Sequence, residues 1–254
     1  MRRVIFHNLF RMKQKIRLKQ IIKPLIRKFG YDIVQHSPSQ FGQNPLDDMA
    51  KHLHNDSPVV FDVGANVGQS ISKFRSQFPK CIIHSFEPSP TTFKTLSQQA
   101  SDLKDVNLWN CALGSASRQM TFLENSNPDM SSFLPLSEFG WGEITKETLV
   151  GVNTIDQFCD DKQIEYIDIL KSDTQGFDFE VFKGAERTIR ENRIGLIYFE
   201  IIFSNMYKNL PPFAQIYEYL TLHDFLLVSF YQFHYQQQLA SWTDALFVHK
   251  SYIK

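Results

Sequence analysis

Residues 59–68 of the chain read VVFDVGANVG, a short apolar run that turns abruptly into a glycine-rich loop. The run Val59–Val63 has the length and the β-branched content of a buried strand. Gly64 allows the backbone to turn sharply close to a ligand, and Gly68 allows the next helix to pack tightly against the strand. The amides at the start of that helix could then donate to polar ligand atoms. The pattern predicts a strand–loop–helix unit that binds a nucleotide-containing cofactor.

The next predicted strand, Cys81–Glu87, ends in an acid where a ribose is bound in such units. Glu87 follows Gly64 by 23 residues, close to the spacing of about 20 residues that is typical of a ribose-binding carboxylate. A carboxylate at this point can accept hydrogen bonds from both ribose hydroxyls. A Glu before Pro88 is also an ordinary strand end. The inference therefore depends on the strand, loop, helix and acid occurring together.

The chemistry of the loop favours S-adenosylmethionine over a dinucleotide. A GxGxxG loop has a glycine where a pyrophosphate approaches the backbone, whereas residues 64–68 read GANVG. Asp62, beside the loop, is poorly suited to an anionic diphosphate because like charges repel. An acid there suits a cationic group, such as the ammonium of a methionine moiety.

From Pro58 onward, short β-rich runs alternate with helical stretches. The alternation predicts a mostly parallel sheet with helices on both faces. Residues 115–160 interrupt it as an insertion, in which Met120–Leu123 and Thr148–Val152 are predicted to form an antiparallel excursion. The predicted strands of the main sheet are Val59–Val63, Cys81–Glu87, Val106–Asn110, Ile167–Ser172, Gly195–Glu200, Phe225–Ser229 and Ala245–His249, and the predicted helices are Gly68–Gln77, Pro90–Ser101, Phe177–Asn192 and Pro212–His223.

Six segments, in order, resemble the FkbM family of S-adenosylmethionine-dependent methyltransferases. They read FDVGANVGQS, FEPSP, NCALG, VNTIDQF, ILKSDTQGFDFEVFKGA and IYFEI, within the stretch from about Val59 to about Val248. The resemblance implies a Rossmann-like, seven-stranded methyltransferase sheet, mostly parallel with an antiparallel last strand. It also implies methyl transfer to an oxygen, typically a hydroxyl on a sugar, a polyketide or another small metabolite.

The resemblance also implies roles for individual residues. Asp173, which ends the fourth main strand, matches an acid that faces the cofactor sulfonium and the acceptor. Ser131 and Ser132 match a serine pair that borders the acceptor pocket. Asp178 stands where the family usually has Glu, and this shorter side chain leaves its contact with the substrate open. The implied cofactor contacts are Asp62, Gly64, Ala65, Asn66 and Gly68 in the loop, Glu87 at the ribose, Pro88, Ser89, Asn110, Cys111 and Ala112 around the adenine, and Asp173.

Asp173 and Glu200 are the predicted catalytic residues. Methyl transfer to a hydroxyl is an in-line displacement, in which alignment of the reacting atoms supplies much of the acceleration and a positioned base assists the alcohol. Both acids follow neighbouring predicted strands at the edge where open α/β sheets bind ligands, and Lys171 should face the same side as Asp173. His223 and His234 are further candidate bases, although a surface or hydrogen-bonded histidine is the ordinary explanation. No third ligand accompanies the two acids, so no essential metal is predicted.

Charge is distributed unevenly along the chain. Residues 1–30 hold ten Lys or Arg and no acid, whereas the whole chain has 27 basic and 27 acidic side chains. The remainder is therefore acidic, which argues against a nucleic-acid groove on the main domain. Apolar residues recur at helical spacing within residues 1–34, which predicts a basic amphipathic helical arm. Such an arm can lie on an anionic membrane surface, or it can pack on the body or on a second subunit in a homodimer.

The composition of the chain also predicts where its domains begin and end and where in the cell it is located. Residues 35–57 are predicted to be a linker and a short helix, and residues 58–254 the methyltransferase domain. The 3 cysteines are too few and too scattered for a disulfide framework or a zinc site. The sequence contains no apolar run of membrane-spanning length. We therefore expect a cytoplasmic protein, held at the inner face of the membrane if the arm binds lipid.

Together these patterns predict an S-adenosylmethionine-dependent O-methyltransferase that acts on a small molecule or on a saccharide or glycolipid precursor. One alternative is a binding or scaffold protein that keeps the fold without transferring methyl groups. Another is an NAD-dependent oxidoreductase, which the missing middle glycine disfavours. Residues 230–238 read FYQFHYQQQ, and their aromatic and amide side chains would suit a sugar ring. A hairpin turn or a subunit contact explains the same residues and is the favoured interpretation.

Overall fold

The computed structural model describes residues 40–253, together with Ile22, Pro24 and residues 26–29. The chain divides into two units, Met1–Gln40 and Phe41–Lys254. Most of the predicted arm and the first residues of the predicted linker lie outside the described residues. The short helix predicted before the main domain is present as α1 (Pro45–His52). Its start is fixed by the Asn44 side chain, which accepts a hydrogen bond from the Leu46 amide.

The second unit is built on a large sheet and a small sheet. In chain order the strands are β1 (Val59–Val63), β2 (Ile82–Phe86), β3 (Val106–Trp109), β4 (Ala112–Leu113), β5 (Arg118–Asn125), β6 (Ile144–Asn153), β7 (Ile167–Ser172), β8 (Ile194–Ile202), β9 (Phe225–Phe230), β10 (His234–Gln236) and β11 (Leu239–His249). The large sheet runs β3-β2-β1-β7-β8-β11, and both β9 and β10 pair with β11. The strands from β3 to β8 in this order are parallel, and β11 is antiparallel to β8. This confirms the predicted sheet with a reversed last strand, to which β10 adds a short hairpin strand.

Helices cover both faces of the large sheet, as predicted. They are α2 (Gln69–Gln77), α3 (Pro90–Gln99), α4 (Ile155–Lys162), α5 (Asp178–Lys183), α6 (Glu186–Arg190) and α7 (Phe213–Leu222). Val60 packs in a cluster with Ile71 and Leu96, from α2 and α3, whereas Phe61 packs in another cluster with Phe158, from α4. The consecutive residues Val60 and Phe61 therefore pack in two separate cores, because alternate side chains of a strand point to opposite faces of the sheet. None of the helices in the described part of the chain has the length and apolar content needed to span a bilayer.

The prediction of one continuous helix over Phe177–Asn192 is wrong, because this segment forms two helices, α5 and α6. The division falls at Gly184, where an added Cβ would lie 2.0 Å from the Gly114 carbonyl oxygen. This close approach of two backbone segments leaves no room for a side chain at residue 184 and requires glycine there. Helix α4, which the sequence patterns do not predict, begins where the Thr154 side chain accepts a hydrogen bond from the Gln157 amide.

The insertion forms the small sheet, with strand order β4-β6-β5. Strands β5 and β6 pair antiparallel along their length, as the sequence predicts. The segment between them includes the 3-10 turn Pro128–Met130. An isolated bridge joins Leu136 to Tyr207, which follows β8. The insertion is thereby attached to the edge of the large sheet at which β8 ends.

Candidate functional site

A cavity of about 310 Å³ lies at the carboxyl ends of β1, β2, β7 and β8. Open α/β sheets bind their ligands at this edge because the loops that follow parallel strands converge there. The insertion contributes a further part of the wall. Residues that the sequence predicts for the site and that line this cavity are Gly64, Asn66, Glu87, Pro88, Ser89, Ala112, Asp173 and Glu200.

The loop between β1 and α2 is held against the neighbouring strands by its own amides. The N–H groups of Gly64 and Ala65 both donate to the Phe86 carbonyl at 3.0 Å, and that of Gly68 donates to the Ala65 carbonyl at 2.9 Å. Gly64 has a φ of 75°, and an added Cβ would lie 2.0 Å from the Asp173 carbonyl oxygen. These three amides are consequently engaged within the protein and fix the shape of the loop. Ala65 and Gly68 shape the loop and are not part of the cavity wall.

Glu87 is buried and is held by the backbone through both carboxylate oxygens. Its Oε2 accepts from the Asn66 amide and its Oε1 from the Ser89 amide, each at 2.9 Å. Burial raises the pKa of Glu87 to about 7, although these hydrogen bonds oppose the rise. A carboxylate oxygen has two lone pairs, so each oxygen can accept one further hydrogen bond from a ligand.

Two residues predicted to lie beside the adenine stand behind the wall of the cavity. The Asn110 side chain donates to the carbonyls of Glu87 at 2.8 Å and Pro88 at 3.2 Å, and so fixes the turn that follows β2. Cys111 is half-buried and packs against the apolar core. Of the predicted group Asn110, Cys111 and Ala112, the cavity wall contains Ala112.

Asp62 is fully buried and does not line the cavity. The Lys171 ammonium lies 2.9 Å from its Oδ1, donates to the Gly64 carbonyl at 3.0 Å, and lies 3.7 Å from Asp173 Oδ2. Burial alone would lower the pKa of Lys171, but the carboxylates of Asp62 and Asp173 raise it above its ordinary value. The negative charge of Asp62 is therefore neutralised inside the protein, which corrects the expectation that it faces a cofactor ammonium. Lys171 and Asp173 do face the same side, as predicted.

Asp173 and Glu200 are joined by the side chain of Gln175. The Gln175 Nε2 donates to Asp173 Oδ1 at 3.1 Å and to Glu200 Oε2 at 3.0 Å, while its Oε1 accepts from the Tyr207 hydroxyl at 2.9 Å. Burial and the nearby charge of Asp173 raise the pKa of Glu200 well above its usual range. The two predicted catalytic acids therefore share one amide donor. The sequence patterns did not single out Gln175 or Tyr207, although Gln175 lies inside the quoted segment around Asp173.

The insertion is hydrogen-bonded to the loops that follow β1 and β2. The Asn66 side chain donates to Asp129 Oδ1 at 2.7 Å, and the Ser89 hydroxyl donates to Glu124 Oε2 at 2.7 Å. Because Asn66 and Ser89 belong to the predicted cofactor site, these bonds tie the insertion to the part of the cavity where the cofactor is expected.

The predicted serine pair lies on the same side of the cavity. Ser131 lines it, and the Ser131 hydroxyl accepts a hydrogen bond from the Asn125 amide at 3.0 Å. The Ser132 hydroxyl is buried and donates to the Gln175 carbonyl at 2.8 Å. Ser132 thus supports the residue that links the two catalytic acids.

Aromatic side chains form a wall of the cavity that the sequence patterns did not locate. Trp141 comes from the insertion and Trp242 from β11, and their ring centroids are 5.7 Å apart. The His234 ring stacks on Trp242 at 4.7 Å, so residues 230–238 contribute the predicted hairpin and support this wall from behind. The remaining aromatic members are Phe86, Phe122, Phe133 and Phe177.

Three other residues considered from the sequence lie outside the cavity wall. His223 contacts the Tyr219 carbonyl at the end of α7, with its Nδ1 at 2.8 Å. His234 lies behind Trp242. Asp178 is buried, and its Oδ1 accepts from the Ser172 hydroxyl at 2.6 Å. Neither histidine is placed to act on a ligand in the cavity, and Asp178 stabilises the turn after β7.

Comparison with known proteins identifies the family. The family model described as "Methyltransferase FkbM domain" matches residues 62–227, which is more than half of the chain. The chain belongs to this family and is a methyltransferase. Within the described residues, no group of three or more His, Cys, Asp or Glu side chains is arranged to hold a metal ion.

Relatives of this chain carry methyltransferase names. The 2-O-methyltransferase NoeI of Sinorhizobium fredii is 25% identical over 179 residues, which cover 66% of this chain and 73% of the relative. Methyltransferase 1 of Beauveria bassiana is 25% identical, covering 52% of this chain and 59% of that protein. Methyltransferase sdnD of Sordaria araneosa is 28% identical, covering 51% and 61%. The matches to the latter two proteins thus span about three-fifths of their lengths.

Solved structures that are similar to this chain are distant in sequence. An rRNA methylase from Streptococcus thermophilus has a TM-score of 0.48 and 13% identity, covering 85% of this chain and 99% of that one. The M. capricolum TrmK in complex with S-adenosyl-homocysteine has a TM-score of 0.47 and 10% identity, covering 84% and 70%.

Proposed function

We propose that this methyltransferase uses S-adenosylmethionine to methylate a hydroxyl of a small molecule or of a saccharide or glycolipid precursor. The main support for this proposal is the set of acids in the cavity. A single cavity combines the buried carboxylate Glu87, placed after a glycine turn, with the linked acids Asp173 and Glu200. The first feature suits a ribose, and the second suits a hydroxyl that must lose its proton.

The residues present fit S-adenosylmethionine better than a dinucleotide. The cavity is lined by four acids, Glu87, Asp129, Asp173 and Glu200, and no Lys, Arg or His occurs among its lining residues in the described chain. A diphosphate would find no cationic side chain among these lining residues, whereas a sulfonium or ammonium group is attracted by an ionised acid. Glu87 would hold the ribose hydroxyls, and the adenine would lie near Pro88, Ser89 and Ala112. When bound, the cofactor supplies an electrophilic methyl group on a positively charged sulfur.

The chain's own residues then position and deprotonate the acceptor. Asp173 is 45% exposed at its side chain, so a carboxylate oxygen can accept the proton of an acceptor hydroxyl. Gln175 holds Asp173 and Glu200 in fixed orientations, and Tyr207 holds Gln175. Glu200, whose pKa is raised, favours its protonated form and can donate a hydrogen bond to a neighbouring oxygen. Fixed orientation of these groups supplies alignment for the displacement.

Binding and transfer can be tested separately. Calorimetry with S-adenosylhomocysteine should show binding to the purified full chain, and NADH should show none. Transfer of a radiolabelled methyl group to a hydroxyl-rich small-molecule extract should be lost in Asp173→Asn while S-adenosylhomocysteine still binds. Failure of the wild-type chain to bind S-adenosylhomocysteine overturns the proposal. Cofactor binding without any methylated product supports the scaffold alternative, and tight NADH binding supports the oxidoreductase.

We propose a cytoplasmic location for this reaction, with residues 1–30 holding the enzyme at the inner face of the membrane. The support is their ten basic residues and the lack of any acid among them, because anionic lipid attracts such a segment. A glycolipid precursor would be accessible at that surface. Packing of the arm on a second subunit of a homodimer is the competing explanation.

A further inference from the structure

The Glu87 carboxylate is held between two backbone amides that come from different loops. Asn66, in the turn after β1, donates to Oε2, and Ser89, which follows β2, donates to Oε1, each at 2.9 Å. Asn66 has a φ of 49°, in the left-handed region that few residues other than glycine adopt. Since each oxygen keeps one acceptor site for a ligand, the directions of these two amides decide where the free acceptor sites of Glu87 point.

The insertion binds the side chains of both amide donors. The Ser89 hydroxyl donates to Glu124 Oε2, and the Asn66 side chain donates to Asp129 Oδ1, each at 2.7 Å. Glu124 lies on β5, and Asp129 lies in the 3-10 turn that follows this strand. Glu87 is therefore connected to the insertion twice. Each connection runs through a residue whose amide holds the carboxylate and whose side chain is held by an acid of the insertion.

The connection through Glu124 is the more protected of the two. The Glu124 side chain is 13% exposed, and the Lys146 ammonium lies 3.3 Å from its Oε1, which also accepts from the Thr148 hydroxyl. Burial opposes ionisation of this acid, but its hydrogen bonds from Thr148, Ser89 and Lys146 outweigh burial and lower its pKa. An ionised acceptor strengthens the bond from Ser89. Asp129 is exposed, so water competes for its oxygen and its bond contributes less.

Other contacts keep the insertion on the domain. Backbone hydrogen bonds of 2.8–3.0 Å attach it to the loop after β8, and an apolar cluster around Met130, Met206 and Tyr207 joins the same two segments. The hydrogen-bonded pairs are Ser137 with Met206, Phe139 with Asn205 and Lys208 with Pro135. Removal of the Glu124 or Asp129 side chain therefore leaves the insertion attached and acts on the loops that hold Glu87.

We infer that Glu124 and Asp129 are positioning residues of the cofactor site. By holding the side chains of Ser89 and Asn66, they fix the two amides that orient the Glu87 carboxylate for the ribose hydroxyls. A binding group that is itself held by further hydrogen bonds keeps the geometry that its ligand needs. The inference rests on the proposed use of S-adenosylmethionine and deepens it, because it makes the insertion a determinant of ribose binding.

Calorimetry with S-adenosylhomocysteine on the full chain tests the inference. Glu124→Ala should weaken binding by about tenfold, the lower end for a hydrogen bond to a charged group. Asp129→Ala should weaken it by roughly two- to fivefold, because its bond is exposed. Glu147→Ala is the matched control, since Glu147 is an exposed acid on β6, and it should bind as the wild type does. Unchanged affinity in both Glu124→Ala and Asp129→Ala overturns the inference.

A double-mutant cycle shows whether the two acids act through Glu87. In the Glu87→Ala background, loss of either acid should cause little further loss of affinity, because residues that act together have non-additive effects. Full additivity would place their action elsewhere and overturns the inference. Circular dichroism checks that each variant is folded. Asp129→Ala changes an exposed side chain, so it decides the outcome if Glu124→Ala does not fold.

The pH dependence of binding separates positioning from general support of the fold. Burial raises the pKa of Glu87 to about 7, and the amides of Ser89 and Asn66 oppose this rise. When the alanine variants loosen these amides, the pKa of Glu87 rises further, and the increase in affinity for S-adenosylhomocysteine moves to higher pH. The other charged or titratable groups around Glu87 are Lys171 and Asp62 near it and Asp129, Asp173 and Glu200 in the same cavity wall.

Glu124→Gln and Asp129→Asn are the conservative variants, because each keeps an acceptor oxygen and loses the charge. They should retain most of the affinity. Their binding should not move to higher pH, since removal of a nearby negative charge favours ionisation of Glu87. An equal shift to higher pH in the alanine and the amide variants contradicts the inference, and so does an unchanged pH profile in the alanine variants.

The same titrations distinguish this inference from the proposed function. If the wild-type chain does not bind S-adenosylhomocysteine, the proposed function fails and the inference fails with it. If the wild-type chain binds S-adenosylhomocysteine and the two alanine variants bind it equally well, the inference alone fails and cofactor use stands.

Discussion

At the scale of single residues, ionisation of Glu87 should make both stability and ligand binding at the expected cofactor site depend on pH. Its raised pKa of about 7 arises from burial, against the opposing backbone hydrogen bonds from Ser89 and Asn66. Between the ordinary value of 4.5 and about 7, the folded chain binds more protons at this residue than the unfolded chain does. The contribution of Glu87 to the free energy of unfolding therefore falls as pH rises through that window. Ligand binding should follow the opposite trend, because an ionised carboxylate is the stronger acceptor.

We expect the affinity for S-adenosylhomocysteine to increase between about pH 6 and pH 8 as Glu87 ionises. Glu87→Gln should weaken binding by roughly 10- to 150-fold, the range for hydrogen bonds to a charged group, and should remove the pH dependence. Calorimetry across this pH range measures both effects. Glu147→Gln, an exposed position on β6, is the control. A pH profile that survives in Glu87→Gln would show that another group is responsible.

The ion pair between Lys171 and Asp62 should contribute to stability because it is buried. Lys171→Met leaves the fully buried Asp62 carboxylate without its cation, and we expect a loss of about 3–5 kcal/mol in the free energy of unfolding. Lys183→Met removes a partly exposed pair with Glu180 and should cost less than about 1 kcal/mol. Urea unfolding measures both changes. Equal losses in the two variants would contradict a special role for the buried pair.

At the scale of elements, the turn between β1 and α2 depends on its first glycine. Gly64→Ala places a Cβ 2.0 Å from the Asp173 carbonyl oxygen at a φ of 75°. The positive φ alone costs about 1–3 kcal/mol, and the contact forces β7 and the loop apart. We expect reduced stability and loss of S-adenosylhomocysteine binding, measured by thermal unfolding and calorimetry. In Gly151→Ala the nearest atom lies at 3.7 Å, so this control should keep binding; loss of binding in both variants would argue against a specific role for the turn.

The strands of the parallel sheet were predictable because their signals are local. Residues Val59–Val63 and Ile167–Ser172 are strands with the predicted bounds, since short apolar runs next to turn residues define them. The approach of Gly114 to Gly184, where the helix after Phe177 is divided, was not predictable. These two glycines are far apart in sequence, and no local pattern connects them.

At the scale of the whole molecule, the cavity is built from one unit of the chain. Its lining residues all lie between Val63 and Trp242, within the unit Phe41–Lys254. The predicted arm therefore contributes no described residue to the site. Its role is best tested by removing it.

We expect the chain without residues 1–30 to keep its affinity for S-adenosylhomocysteine and to lose sedimentation with anionic liposomes. The reason is that basic residues are attracted to anionic lipid by about 1 kcal/mol each, and ten of them are removed. Neutral liposomes are the control. Equal sedimentation of the full and shortened chains would exclude the arm as the membrane anchor and leave its packing on the body or on a second subunit.

The sequence by itself determined the sheet, the glycine turn, the acid at Glu87 and the acid at Asp173. Each of these depends on local backbone preferences, on side-chain alternation or on a short spacing along the chain. Only the tertiary structure decided that Asp62 pairs with Lys171 and that Gln175 links the two acids. It alone brought Trp141 to Trp242 as well. The physical reason is that charge pairing and cavity walls depend on which loops the sheet's strand order brings together, and that order joins residues that no local pattern connects.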